Sequence, residues 1–300
     1  MTLSPSKSIS AYRMKVVLVP VANRPECRTA LDQAFALADM LAANVAGCHL
    51  RPHRTDASRA RPPGFRLSFG WDQAVDEPSP HKSALRAKEA ESLFRATAEK
   101  RGFSLVRRAR LGMVRGAVWS EMVGSPDRLF PIIGPVADLS VVSRPKSGAR
   151  GRAADFMLSA LLQSGKPVLV LPQTQVPHVG KRILIAWNQS IEAARAVTAA
   201  LPLLAQAESV HICSCGRESK SGPKSTFLAQ YLQFWGVKST RMSTKGRNVE
   251  KELAEAYAKT GSDLIVIGAY SRSRMREVIF GGVTQHLLFE TNVPVFALHS

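Results

Sequence analysis

Short apolar runs alternate with amphipathic segments along most of the chain. KVVLVPVAN (Lys15–Asn23) and KRILIAWNQ (Lys181–Gln189) are both typical of buried β-strands. Each is followed by apolar residues at helical spacing and then by a second apolar run. This alternation of strand and helix patterns predicts an α/β fold whose parallel strands are joined by right-handed crossovers.

The whole pattern occurs twice. ADLSVVS (Ala137–Ser143) matches SDLIVIG (Ser262–Gly268), and GKPVLVLP (Gly165–Pro172) matches NVPVFALH (Asn292–His299). A repeat of this length is a domain rather than the unit of a solenoid. The chain is therefore predicted to contain two tandem Rossmann-like domains, each with a five-stranded parallel sheet flanked by helices.

The repeat also sets the predicted boundaries. We expect a disordered leader (1–14), a first domain (15–173), a Pro- and Gly-bounded linker (172–180) and a second domain (181–300). In the second domain the predicted strands are 181–187, 208–214, 236–241, 262–267 and 293–298. The predicted helices lie near 190–206, 222–235, 248–260 and 281–291.

The first copy is the longer one. It has about 41 more residues than the second between its first and fourth strands, and much of this excess is assigned to an insertion at about 51–80. The insertion is rich in Arg, Pro and Gly and includes Phe65, Phe69 and Trp71. These rings could stack on nucleic acid, but such aromatics more often anchor a loop onto its own domain.

The charge and composition of the chain limit the kinds of partner and the cellular location that we expect. The net charge of +18 and pI of about 10.4 favour anionic partners, without choosing between nucleotides, nucleic acid and anionic surfaces. There is no apolar run of about 18 residues and no apolar stretch suited to a signal peptide, so a cytoplasmic protein without membrane contacts is expected. Four cysteines show no zinc or disulfide spacing. Cys213 and Cys215 are interpreted as small residues at a strand end, with a redox or metal role as the alternative.

The segment GAYSRSRMREVIFGGVT (Gly268–Thr284) carries the candidate chemistry. It joins a predicted strand to a predicted helix at the carboxyl edge of the sheet, where α/β proteins bind ligands. Its glycines permit close backbone approach, its Ser and Thr residues offer hydroxyls, and its arginines offer charge for phosphate. A basic connection without ligand is the alternative interpretation.

This segment resembles the nucleotide loop of the universal stress protein family. ATP-binding members carry G-x2-G-x9-G-[ST] between the fourth strand and the last helix. Gly268, Ser271, Gly281 and Gly282 occupy the four positions with the spacing intact, and Thr284 matches a further hydroxyl. Ser271 replaces a glycine, and Gly282 replaces the Ser or Thr. The first strand of the family usually ends in an Asp that contacts the nucleoside, and Asn188 fills that position.

The resemblance implies an adenine nucleotide alpha hydrolase-like fold and a stress-response role that is regulatory rather than catalytic. It implies ATP or AMP in the second domain, with Mg²⁺ as a companion of ATP, and no resident metal or catalytic residue. It also implies a pseudo-dimer of the two domains through their last strands, and homodimers. The residues expected at the nucleotide are Asn188, Gly268, Ser271, Arg272, Gly281, Gly282 and Thr284.

Two alternatives stay open. One is an interaction scaffold of the same fold that has lost its nucleotide, which the replacements at Ser271 and Gly282 favour. The other, less favoured, is a basic nucleic-acid-binding protein. In the first copy the Asp position is taken by Val21 and Ala22, so no nucleotide is expected there.

Overall fold

The computed structural model describes residues 13–51, 80–145, 152–269 and 282–299. Most of the insertion (52–79) lies outside the described residues. So do three of the predicted nucleotide contacts, Ser271, Arg272 and Gly281.

The first half of the chain forms six strands and four helices among its described residues. In chain order they are β1 (Val16–Pro20), α1 (Pro25–Met40), β2 (Asn44–Arg51), α2 (Pro80–Lys100), β3 (Ser104–Val106), β4 (Gly116–Val123), α3 (Pro126–Ile133), β5 (Leu139–Ser143), α4 (Arg152–Gln163) and β6 (Val168–Leu171). A short 3-10 turn (Gly134–Val136) follows α3.

The second half repeats the scheme, with five strands in the part that the structure describes. Its elements are β7 (Arg182–Ala186), α5 (Ile191–Leu204), β8 (Ser209–Cys215), α6 (Ser225–Phe234), β9 (Thr240–Thr244), α7 (Val249–Thr260), β10 (Leu264–Ala269), α8 (Gly282–Gln285) and β11 (Val295–His299). One π-helical turn (His286–Glu290) extends α8. None of the helices in the described part of the chain combines the length and the hydropathy of a membrane span.

The eleven strands of the described ranges form one sheet with the order β3-β4-β2-β1-β5-β6-β11-β10-β7-β8-β9. Neighbouring strands are parallel except at the junction of the two halves, where β6 and β11 run antiparallel. Val170 pairs there with Val295, and Leu169 with Phe296, and all four side chains are fully buried. The predicted parallel α/β architecture is confirmed, and the last strands of the two repeats form the seam of the sheet.

The prediction of five strands in the first half was wrong, because β3 adds a sixth. The excess length of this half also has three sources rather than mainly one. Besides the segment between β2 and α2, α2 has 21 residues where α6 has 10. The connection that contains β3 supplies the rest. With three residues, β3 is too short to give a recognisable strand pattern.

Helices cover both faces of the sheet. On one face, α1, α2, α5 and α6 pack over a continuous apolar cluster that crosses the seam. On the other face, α3, α4, α7 and α8 pack over a second cluster. Two apolar layers that each run through both halves give the halves a shared core.

One aspartate performs the same structural task in each half. Asp138 accepts hydrogen bonds from the backbone N–H groups of Lys15 (2.7 Å) and Val16 (3.0 Å), which tie the start of β1 to β5. Asp263 accepts from Gly180 (2.8 Å) and from the start of β7 in the same way. Asp263 therefore ties the start of β7 to the start of β10.

A buried arginine makes a second connection between the halves. The guanidinium of Arg144, which follows β5, donates to four backbone carbonyls at the end of the last helix: Leu287 (2.9 Å), Leu288 (2.9 Å), Val293 (2.6 Å) and Thr291. Burial lowers the pKa of Arg144 to about 10, so it stays charged at neutral pH. A cation at the carbonyl end of a helix also opposes the negative end of its dipole.

Candidate functional site

In the second half, the strand order reverses between β7 and β10. The chain passes from β7 outward to β8 and β9, then returns to β10 on the other side of β7. A reversal of this kind places a crevice beside the carboxyl ends of β7 and β10, where ligands of such sheets bind.

Asn188 is exposed at this edge, just beyond the end of β7. Its Oδ1 accepts a hydrogen bond from the N–H of Ser190 (3.2 Å), which closes a local turn. Ser190 caps α5, since its Oγ accepts from the N–H of Ala193 (3.1 Å). Asn188 is thus held at the entrance to α5, and the described residues provide no hydrogen-bond partner for its Nδ2.

Gln189 fixes the neighbouring loop, a role that the sequence did not reveal. Its backbone is left-handed, with φ of 62°. Its Oε1 accepts from the N–H of Ser219 (2.5 Å), while Nε2 donates to the carbonyls of Ser219 (3.1 Å) and Gly222 (3.0 Å). The connection between β8 and α6 is thereby bound to the end of β7, so the two carboxyl-edge loops that follow β7 and β8 form one unit.

Gly268 lies close to the first turn of α5. A Cβ at this position would lie 2.3 Å from the nitrogen of Ala193 and 2.4 Å from the carbonyl carbon of Glu192. Glycine is therefore required by space, because only a hydrogen lets the helix approach the strand so closely. The structure brings Gly268 and Asn188 together on either side of the α5 N-terminus.

Gly282 and Thr284 lie at the start of the last helix, on the other side of the crevice. A side-chain carbon at residue 282 would lie 2.9 Å from Oε1 of Glu250, in the first turn of α7. A carboxylate thus occupies space beside the predicted phosphate contact. A phosphate group placed there would be repelled unless a cation neutralised the pair.

The carboxylate of Glu252 accepts several hydrogen bonds just after the end of β9. Its carboxylate accepts from the N–H groups of Gly246 (2.7 Å), Arg247 (2.9 Å) and Asn248 (3.3 Å), and from the hydroxyl of Thr244. The hydrogen bond from Thr244, followed by those from the backbone, lowers the pKa of Glu252 to about 2. The N–H groups of the loop after β9 therefore already bind a carboxylate of the chain itself.

The two cysteines of β8 lie on one face of the strand beneath this loop. Cys213 is buried and Cys215 is partly buried, and both are free thiols. A hydrogen bond from Cys213 lowers the pKa of Cys215 to about 7 and raises that of Cys213. No cluster of three metal-ligating residues occurs in the described ranges.

The corresponding edge of the first half is filled by protein groups. Ser143, at the position aligned with Gly268, donates from its hydroxyl to the carbonyl of Glu26 (2.8 Å) in α1. Arg144 points into the second half, as described above. Asn23 donates to Glu89 (3.4 Å) and accepts from Arg28 (3.3 Å), so it is paired within its own surface.

A groove of about 680 Å³ lies on the outer side of α5. It runs between α5, β11 and the amino ends of β1 and β5, and includes Gln189, Ser190 and Leu298. Asn188, Gly268, Gly282 and Thr284, the predicted contacts that the structure describes, do not line it. The groove is therefore adjacent to the crevice rather than part of it.

Comparison with protein-family models finds the universal stress protein family over residues 216–299. The resemblance to this family is confirmed. The matched segment runs from the end of β8 through β11 and so spans the loop from Gly268 to Thr284. Comparison with curated proteins found no match.

Solved structures extend the likeness to the whole chain. A universal stress protein from Archaeoglobus fulgidus DSM 4304 superposes with a TM-score of 0.68 at 15% identity, covering 95% of this chain and 98% of that chain. A candidate universal stress protein from Pseudomonas aeruginosa UCBPP-PA14 gives 0.57 at 14% identity, with coverages of 98% and 95%. At such identities the likeness concerns the fold, and it includes both halves of the chain.

Proposed function

We propose that this protein is a stress-response module that binds an adenine nucleotide, ATP or AMP, at the carboxyl edge of β7 and β10. The observation that carries the proposal is the exposed Asn188 at the point where the strand order reverses. It lies at the carboxyl edge of the strand next to β10, and the segment 216–299, which contains β10, matches the universal stress protein family. Asn188 would contact the nucleoside, and the loop from Gly268 to Thr284 would surround the phosphates.

The local chemistry supports a nucleotide on the α5 side of the crevice. The Nδ2 of Asn188, which has no hydrogen-bond partner among the described residues, can donate to a ribose or base acceptor. Because Gly268 lets α5 approach, the positive N-terminal end of this 14-residue helix also lies at the crevice.

Glu250 bears on which nucleotide binds. Its carboxylate beside Gly282 disfavours an uncompensated triphosphate. We therefore expect ATP to bind with Mg²⁺, and AMP to bind without it. The role proposed is regulatory, with any hydrolysis slow and incidental. The two halves would act as an intramolecular pseudo-dimer joined by β6 and β11, with homodimers as a further level of assembly.

Calorimetric titration with ATP and AMP, each with and without Mg²⁺, tests the proposal. Asn188→Ala should weaken binding by about 2- to 13-fold, the range for one hydrogen bond. Asn23→Ala, at the equivalent edge of the first half, is the matched control and should leave affinity unchanged. Absence of binding at millimolar nucleotide would refute the proposal and favour the scaffold of the same fold that the Ser271 and Gly282 replacements suggest. Equal losses in the two variants would place the site elsewhere.

A further inference from the structure

The segment 216–248 carries a concentrated positive charge on the outer edge of the second half. It contains seven Lys and Arg residues and one acidic residue, Glu218. All seven cations are exposed: Arg217, Lys220, Lys224, Lys238, Arg241, Lys245 and Arg247. The carboxylate of Glu218 accepts from the Ser214 hydroxyl (3.0 Å) and the N–H of Ser225 (2.9 Å), so it serves the fold.

These cations differ from those of the first half in their pairing. There, Arg101 pairs with Asp32 (2.7 Å) and Arg51 with Glu121 (2.5 Å), and Arg115 pairs with Asp39. Among the described residues, none of the seven cations of 216–248 forms an ion pair with a carboxylate. Unpaired charge of one sign costs self-repulsion, which an anionic partner would relieve.

Helix α6 adds exposed aromatic rings to this surface. Phe227 is 60% exposed and Phe234 is 91% exposed, while Leu228 and Leu232 face the core. The two rings are seven residues apart, or about 10 Å along the helix axis. The helix itself contains no charged residue. Its exposed side therefore carries two aromatic rings and no charge of its own. Lys224 lies at the start of the helix, and Lys238 and Arg241 lie beyond its end.

We propose that single-stranded nucleic acid binds across α6 and β9. Bases would stack on Phe227 and Phe234, and the exposed cations would neutralise the phosphates between them, a combination typical of sequence-tolerant single-strand binding. A second copy of the chain would bring the same positive charge to the surface and is disfavoured. A helix that lies in a lipid surface normally carries its own Lys or Arg, which α6 lacks.

Fluorescence anisotropy of the full chain with labelled oligo(dT) and oligo(rU) of about 20 nucleotides tests this proposal. Affinity should fall linearly with salt on logarithmic axes between about 50 and 200 mM. Phe234→Ala should weaken binding by about 5- to 150-fold, the range for loss of one stacking ring. The double variant Lys238→Gln with Arg241→Gln should reduce the salt slope by about 1.4 if both residues contact phosphates.

Matched controls test whether binding depends on this surface or only on the positive net charge of the chain. Leu111→Ala removes an equally exposed apolar side chain in the first half, and Lys251→Gln with Lys259→Gln removes two cations from α7. Both controls should bind like the wild type. The proposal is overturned if no oligonucleotide binds at about 50 mM salt, if Phe234→Ala binds as the wild type does, or if the α7 control changes the salt slope equally. Stronger competition by polyglutamate or by phosphatidylglycerol vesicles than by unlabelled oligonucleotide would also overturn it.

Discussion

Gly268→Ala tests whether close helix approach shapes the candidate site. The φ angle of Gly268 lies outside the left-handed region, so an alanine there has no backbone conflict. Its Cβ would nevertheless lie 2.3 Å from the nitrogen and 2.8 Å from the Cα of Ala193, and 2.4 Å from the carbonyl carbon of Glu192. All three are backbone atoms, so no side-chain rotation can relieve the overlap.

The cost follows from the displacement that α5 must make. An ordinary contact requires the helix start to retreat by roughly 1 Å, and a gap of that size forfeits a quarter to a half of each affected dispersion contact. Several fully buried side chains of α5 pack on the sheet, among them Ala196 and Leu203. Overpacking of this kind typically destabilises by about 1–3 kcal/mol, and we expect the upper part of that range.

Urea unfolding of Gly268→Ala, with amide exchange across the first turn of α5, measures the effect. Gly165→Ala is the control, because Gly165 has open space around it and a φ of 61°, so substitution adds only backbone strain. Both variants should lose stability, but only Gly268→Ala should accelerate exchange in α5. The reasoning would be refuted if Gly268→Ala lost less than about 0.5 kcal/mol and left that exchange unchanged.

Three further predictions concern buried and hydrogen-bonded groups. Arg144→Met should destabilise by about 2 kcal/mol or more in urea unfolding, because it leaves four carbonyls without their donor; Arg144→Lys should not restore stability fully. The pKa of Glu252, near 2 against an ordinary 4.5, means that its stabilisation is present above about pH 4.5 and is lost as pH falls toward 2. Glu252→Gln should therefore flatten the acid limb of a stability–pH curve. Alkylation of Cys215 by iodoacetamide should titrate with a pKa of about 7, and Cys213→Ala should shift that midpoint upward; an unchanged midpoint would exclude the thiol–thiol hydrogen bond as its cause.

The buried strands could be located from sequence because their apolar runs are continuous. Strands β7, β8 and β10 begin and end within about two residues of their predicted bounds, since each is covered by helices on both faces. Strand β9 was displaced, predicted at 236–241 and observed at Thr240–Thr244. It is an edge strand with mostly exposed polar residues, and the apolar Val237 that drew the prediction is a buried residue before it.

The site was predictable in position but not in detail. The repeat and the family spacing located Asn188 and Gly268 at the carboxyl edge, because strand ends can be read from apolar patterns. The clamp formed by Gln189 depends on a left-handed glutamine, a conformation that residue type does not indicate. The carboxylate of Glu250 beside Gly282 arises from contact between α7 and α8, which no local pattern encodes.

The two halves show how one fold can support different roles at the same edge. Ser143 and Gly268 occupy aligned positions, yet the serine hydroxyl binds the backbone of α1 while the glycine admits α5 into close contact. One residue further on, Arg144 is committed to the carbonyl end of the last helix. An anion at the first edge could bind this guanidinium only by breaking four hydrogen bonds, two of them fully buried, at a cost of several kcal/mol. The first half is thereby disfavoured as a nucleotide site, and its Arg144 instead holds the helix whose start lies beside the proposed phosphates.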